Sequence, residues 1–234
     1  MADVHANLQE IQSLRLLSQE DIEHMKEEEG KINTISSIII SGMQIIFQHA
    51  PQLGLSFQVW PSCIALARYI STISRDTIQN KNILELGSAT GVLSSYMAKL
   101  GGNIIASDLP KTIPFLQETL NRNQINTHKL DEEDSNVGCA IAYPLDWTNP
   151  PFRSEILHLF SSLQCSSDKL NQEQIDFIVG TDCVYDRQFH DPLMKCLLSL
   201  CGIETQVWLC NVKRFKTDNK FWNKLNKYFE IEQV

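Results

Sequence analysis

No apolar run in this chain approaches the roughly 20 residues that a membrane-spanning helix requires. The first residues, Met1-Ala2-Asp3-Val4-His5, lack the basic-then-apolar order of a secretion signal. Cysteine is present but never spaced C-x-x-C: Cys63, Cys139, Cys165, Cys183, Cys196, Cys201 and Cys210 are scattered and odd in number. That pattern argues against a metal site or a disulfide framework. Reduced core cysteines in a cytoplasmic or nuclear protein are expected instead. Repeats and low-complexity tracts are missing too. Positive charge is in deficit, with a formal net charge of −8, which argues against nucleic acid as the main partner.

What is present is ordinary globular material. The 234 residues are 43% hydrophobic and 21% charged, enough to bury the core of one α/β domain and too apolar for wholesale disorder. The charge is uneven. Glu20, Asp21, Glu23, Glu27, Glu28 and Glu29 make the N-terminal region acidic, while Lys213, Arg214, Lys216, Lys220, Lys224 and Lys227 make the C-terminal region basic. Both read as solvated faces, with a docking patch as the alternative for each.

Residues 7–28 read as a helix, with Leu8, Ile11 and Leu14 on one face. Residues 31–49 are rich in β-branched side chains, and Ser41-Gly42 favours a hairpin there. Trp60-Pro61 precedes a helix, since proline suits a first turn. From Ile83 onward strands and helices alternate. Strands are expected at 82–86, 103–107, 138–143, 175–180, 205–211 and 230–234. Helices are expected at 91–100, 112–123, 151–163, 188–201 and 217–228, and the acidic run Asp131-Glu132-Glu133-Asp134 reads as a loop tip. This alternation predicts a mostly parallel, doubly wound sheet with helices on both faces, whose ligands bind beyond the carboxyl ends of the strands.

The most informative stretch is Lys81-Asn82-Ile83-Leu84-Glu85-Leu86-Gly87-Ser88-Ala89-Thr90-Gly91. An apolar strand makes a turn of small residues and enters a helix, a layout that brings backbone and free amides close to a nucleotide-type ligand. The run G-S-A-T-G lacks the third glycine of a dinucleotide site. Glu85, just before the turn, would repel a pyrophosphate and suit a cationic amino acid. Asp108 lies at the tip of the next strand, about twenty residues on, where a carboxylate meets ribose hydroxyls. A sulfonium amino acid joined to adenosine, S-adenosyl-L-methionine, fits both carboxylates.

Trp60-Pro61, Glu85 to Gly91, Ser107-Asp108-Leu109-Pro110, Leu145-Asp146-Trp147 and Gly180-Thr181-Asp182-Cys183-Val184-Tyr185 occur in that order. From about Leu55 onward the chain resembles the seven-β-strand protein lysine methyltransferases of the D-x-x-Y type. This is the group acting on valosin-containing protein, Hsp70-type chaperones and elongation factor 2. The resemblance implies a Rossmann-like class I methyltransferase domain over residues 55–234, preceded by a helical and hairpin cap over 1–54. It implies that Gly87, Ser88, Ala89 and Gly91 form the turn around the methionine part of the cofactor, with Glu85 near its amino group. Asp108 and the adjoining Leu109 would face the ribose, Trp147 would lie on the adenine, Thr181 would touch the cofactor backbone and Trp60 would close the site. S-adenosyl-L-homocysteine would be the product, and a protein lysine the acceptor. Asp182 and Tyr185 would be catalytic, the first orienting the amine and the second shaping the pocket.

The residues by themselves leave other readings open. Asp182 could cap the helix that follows it, and Trp60 or Trp147 could be core. The chain departs from the family in three places. Ala89 stands where glycine is usual, Pro61 where aspartate is common, and the final antiparallel strand of the family sheet is expected to be absent, which would leave an edge unpaired. A small-molecule methyltransferase, a nucleic-acid methyltransferase and a cofactor-binding adaptor without activity are the alternatives. The missing prolines in Asp182-Cys183-Val184-Tyr185 weigh against the second, and loss of cofactor binding would identify the third.

Overall fold

Strand–helix alternation dominates the chain because apolar runs of strand length are separated by amphipathic segments of helix length. A computed structural model describes residues 6–12, 34–126, 137–163, 174–212 and 218–233. Its strands are β1 (Ala6–Gln12), β2 (Thr34–Ile40), β3 (Met43–His49), β4 (Asn82–Leu86), β5 (Asn103–Asp108), β6 (Ala140–Pro144), β7 (Phe177–Thr181), β8 (Gln206–Asn211) and β9 (Phe229–Gln233). Its α-helices are α1 (Pro61–Thr72), α2 (Val92–Lys99), α3 (Ile113–Arg122), α4 (Arg153–Ser162), α5 (His190–Leu200) and α6 (Asp218–Leu225). The acidic run at 131–134 lies outside the described residues.

Seven strands form one sheet in the order β6-β5-β4-β7-β8-β1-β9, and every described pairing in it is parallel. β4 and β7 are neighbours, so the strand order reverses there. At such a switch point the loops leaving the two strands diverge and open a crevice. Strands β4, β5 and β7 are buried along their whole length, as a parallel sheet covered on both faces requires. The architecture is the expected Rossmann-like α/β fold.

One apolar cluster lies on each face of the sheet. The first joins Ile64, Leu66 and Ile70 of α1 to Leu93 and Met97 of α2 and to Leu116 and Leu120 of α3. The second joins Ile156 and Phe160 of α4 to Leu193, Leu197 and Leu200 of α5 and to Phe221 and Leu225 of α6.

The hairpin expected at 31–49 is present as β2 and β3. Ser41 and Gly42 both have positive φ (49° and 79°), the geometry that a two-residue hairpin turn with the sheet's own twist demands. Its inner residues Ile38, Ile40, Ile45 and Phe47 belong to the first cluster. Asn123, at the end of α3, pins it from the side: Ile46 N donates to Asn123 Oδ1 at 2.9 Å, and Asn123 Nδ2 donates to Ile46 O at 2.6 Å.

Three expectations need correction. Residues 7–12 are not helical; they lie in β1, which pairs parallel with both β8 and β9. The rest of the expected helix lies outside the described residues. The sheet edge beside β8 is not unpaired: β1 occupies it and β9 pairs on β1's far side. Cys63, Cys183, Cys196, Cys201 and Cys210 are free and buried as expected, but Cys139 is disulfide-bonded.

Candidate functional site

The turn leaving β4 carries three left-handed residues in quick succession: Gly87 (φ 68°), Ala89 (φ 48°) and Gly91 (φ 78°). Small residues are needed there because a side chain in that conformation crowds the following carbonyl. A Cβ on Gly87 would sit 3.4 Å from Trp147 Cζ2 and 3.5 Å from Cys183 Sγ, so this glycine keeps space open between the two walls. A Cβ on Gly91 would lie 2.7 Å from Leu116 Cδ1, so this one lets α2 start hard against α3. The turn is fixed to β5 by Ser88 N donating to Ser107 O at 2.9 Å.

Asp108, at the tip of β5, takes Ala89 N on Oδ2 at 2.9 Å and Leu109 N on Oδ1 at 2.7 Å. Burial pushes its carboxyl above the ordinary carboxylate range. The two amides oppose this, followed by the hydroxyls of Thr112 and Ser56. Glu85 lies deeper, 1% exposed, and accepts a hydrogen bond from the Ser94 hydroxyl. Burial raises it to about 7 against the pull of Ser94 and Ser88, with the Asp108 charge adding to the rise.

β7 ends at Thr181, and the chain then turns through Asp182, another left-handed residue (φ 51°). This is a conformation non-glycine residues hold only where surrounding contacts impose it. The contacts are plain. Asp182 N donates to Cys210 O at 2.8 Å. Its carboxylate accepts Ser62 N at 3.3 Å and Val212 N at 3.1 Å. Asp182 therefore caps α1, not the helix after it, and ties that helix to the end of β8. Val184 N donates to Asn211 Oδ1 at 2.9 Å, which directs Tyr185 back toward the sheet edge. The Cys183 thiol donates to Leu86 O at 3.2 Å and is held far above its ordinary pKa, chiefly by burial. Burial, with smaller contributions from Cys183, Asp186 and Asp108, also raises the Tyr185 phenol. It stays neutral at physiological pH.

These segments enclose a cleft of about 790 Å³, open mouth included. Trp60, Gly87, Ala89, Asp108, Leu109, Trp147, Thr181, Asp182 and Tyr185 all line it. Glu85, Ser88 and Gly91 do not; they form the floor and hinges of the turn behind its wall. Six lining residues have no role assigned from sequence: Leu145, Asp146 and Cys183, which lie within the quoted motifs, and Leu55, Ser56 and Phe189. Phe189 had a readable signal in its four-residue spacing from Tyr185, and their rings lie 5.6 Å apart. Trp147 meets the same ring edge-on at 6.4 Å. Leu55 and Ser56 sit in a single 3₁₀ turn with no sequence signature. Trp60 Nε1 donates to Leu55 O at 2.9 Å, which holds that turn over the cleft. Among the described residues the lining includes three aspartates and no lysine, arginine or histidine.

The model of a family described as lysine methyltransferase matches residues 41–228. The chain is 26% identical to the protein-lysine methyltransferase METTL21E of Mus musculus, over 75% of this chain and 64% of that one. It is 28% identical to the METTL21E protein of Bos taurus, over 75% and 54%. It is 25% identical to EEF1A lysine methyltransferase 3 of Xenopus tropicalis, over 82% and 74%. The chain thus spans between 54% and 64% of the two METTL21E relatives.

Proposed function

The chain belongs to the lysine methyltransferase family, and from that premise we propose that it transfers a methyl group from S-adenosyl-L-methionine to a lysine side chain on a protein. The observation that carries this reading is the cleft itself. One crevice at the strand-order reversal joins the small-residue turn and Asp108 to Asp182 and Tyr185, with acidic and aromatic walls and no basic residue in its described lining. Such walls suit a sulfonium donor and a basic acceptor.

The residues fit the cofactor. Gly87 leaves open the space a Cβ would fill beside Trp147. A carboxylate offers about four acceptor sites, and backbone amides take one on each oxygen of Asp108, which leaves capacity for a pair of ribose hydroxyls. Leu109 would flank the ribose, Thr181 would touch the cofactor backbone, and Trp147 offers a flat face for adenine. Ser88 and Gly91 would serve by holding the turn. Glu85, behind it, would set the turn's charge and position and act on the methionine amino group from there. When bound, S-adenosyl-L-methionine supplies an electrophilic methyl on sulfur and leaves as S-adenosyl-L-homocysteine.

The chain's own task is to present a neutral amine in line with that methyl group. Under about 0.1% of lysine is neutral at pH 7. Desolvation between Trp60, Tyr185 and Phe189 favours the neutral form, while a carboxylate favours the cation. Asp182 therefore positions the nitrogen and accepts its hydrogen bond, and the ammonium proton passes to solvent before attack. Tyr185, neutral, shapes the channel and cannot serve as a base. Positioning of this kind is the larger part of the rate advantage.

The relatives' names include protein-lysine methyltransferases and a methyltransferase of EEF1A, which supports a protein as partner. A cytoplasmic location belongs to the same reading; the five buried free cysteines support it, and the disulfide-bonded Cys139 opposes it. Among the described residues no helix is long and apolar enough to cross a membrane. The test is transfer of tritium from methyl-labelled S-adenosyl-L-methionine into a cell lysate by wild type and by Asp182→Asn. A protein band labelled by wild type only, with methyl-lysine found in it by mass spectrometry, is the expected result. Label confined to nuclease-sensitive or small-molecule fractions, or to none, overturns the assignment.

A further inference from the structure

The segment from Ala50 to Trp60 runs across one side of the cleft as a strap. Ala50 N donates to Phe57 O at 2.8 Å, closing the strap on itself. Phe57 packs edge-on against Phe115 of α3 with ring centres 4.8 Å apart, and Trp60 reaches back to Leu55 O. Three strap residues line the cleft: Leu55, Ser56 and Trp60. Leu55 is 55% exposed, so apolar packing does not hold it there. Ser56 is the strap's polar lining residue; it shares the cleft with Asp108, whose raised carboxyl its hydroxyl helps to hold down.

That juxtaposition matters because of how Asp108 is used. Its two backbone donors are fixed by the β4 turn and the end of β5, and Thr112 is fully buried. Ser56 is the one of these neighbours that belongs to the strap, and it lines the cleft with Asp108. A serine hydroxyl donates one hydrogen bond and accepts others, so it can serve a ribose hydroxyl that is itself donating to Asp108.

We propose that Ser56 is a second ribose-reading residue, and that through it the bound nucleoside fastens the strap and completes the acceptor wall formed by Leu55 and Trp60. The inference rests on the cofactor reading above. It gives the cleft an order of assembly: the cofactor site fills first, and the wall against the incoming lysine is firm only afterwards.

The experiment uses the full chain and S-adenosyl-L-homocysteine as the probe, with affinity measured by calorimetry and strap protection by amide hydrogen exchange. Ser56→Ala is expected to weaken binding about 5- to 15-fold, the worth of one hydrogen bond to a polar ligand. Ser56→Thr, which keeps the hydroxyl, stays within about threefold of wild type on the same basis. Exchange across residues 50–60 slows on ligand addition in wild type and slows less in Ser56→Ala. A probe lacking the ribose hydroxyls binds wild type and Ser56→Ala equally. Thermal unfolding of the two variants without ligand matches wild type, since Ser56 lies outside the core. If Ser56→Ala binds the probe as wild type does, or if exchange over the strap ignores the ligand in wild type, the inference is wrong while the cofactor reading stands. If wild type itself does not bind the probe, both fall.

Discussion

The Asp182 carboxylate accepts the backbone amide of Ser62, 120 residues earlier in the chain, at 3.3 Å. A residue placed by the family resemblance at the chemical centre is thus also the cap of α1, and Trp60 precedes that helix directly. Replacing Asp182 with alanine leaves the buried amide of Ser62 and the half-buried amide of Val212 without their acceptor, at a cost of about 1–3 kcal/mol. Asp182→Asn keeps one accepting oxygen and loses less. Urea unfolding of the two variants separates the roles. Alanine is expected to lower both stability and methyl transfer, asparagine mainly methyl transfer. Equal stability of wild type and Asp182→Ala would rule out the cap.

Ala89 sits at φ 48°, where an L side chain costs about 1–2 kcal/mol. Glycine removes that strain but adds about 0.4–1 kcal/mol of unfolded-chain entropy. The difference favours Ala89→Gly by roughly 0.5–1 kcal/mol, taking the two effects together. Thermal unfolding should show a higher midpoint. Binding of S-adenosyl-L-homocysteine should tighten or hold, because the amide of residue 89 keeps its bond to Asp108. A lower midpoint would mean that the alanine methyl makes packing contacts worth more than its strain.

Most of the fold was legible where local preference and tertiary demand agree. Ile83 to Leu86 reads as a buried parallel strand from its apolar run, and Ser41-Gly42 reads as a hairpin because positive φ is cheap there. β1 was not legible. Leu8 and Ile11 have a spacing that suits a helix, and only the partners supplied by β8 and β9, from the far end of the chain, make the segment a strand. The candidate site shows the same division. Asp108 and Gly87 were readable from a turn within one strand–helix unit. The Asp182–Ser62 bond and the place of Ser56 depend on segments meeting across the sheet edge, which no local pattern records.

Asn123 acts on the hairpin as an extra strand edge, giving and taking one hydrogen bond with the Ile46 backbone. The inner hairpin face contributes Phe47, 1% exposed. Asn123→Ala should cost about 1–3 kcal/mol by leaving both Ile46 backbone groups without their partner. Phe47→Ala should cost about 3–5 kcal/mol through the cavity it leaves against α2 and α3. Amide exchange at Ile46 distinguishes them: it should quicken sharply in Asn123→Ala even under conditions where the rest of the sheet stays protected. Uniform loss of protection would instead mean that the hairpin and the sheet open together.

Glu85 makes stability depend on pH in a direction opposite to that of a paired surface carboxylate. In the fold it keeps its proton up to about pH 7; in the unfolded chain it loses it near 4.5. Between those values the native state binds one proton more than the unfolded state, so stability declines as pH rises. The contribution is whole below the unfolded value and gone above the folded one. The total is on the order of 3 kcal/mol for a shift of this size. Glu85→Gln carries no such charge and can still accept the Ser94 hydroxyl. It should match wild type in urea unfolding near pH 5 and exceed it at pH 8. Parallel curves for the two proteins across that range would show that Glu85 is already ionised in the fold, and that the charge behind the turn is present when the cofactor's amino group arrives.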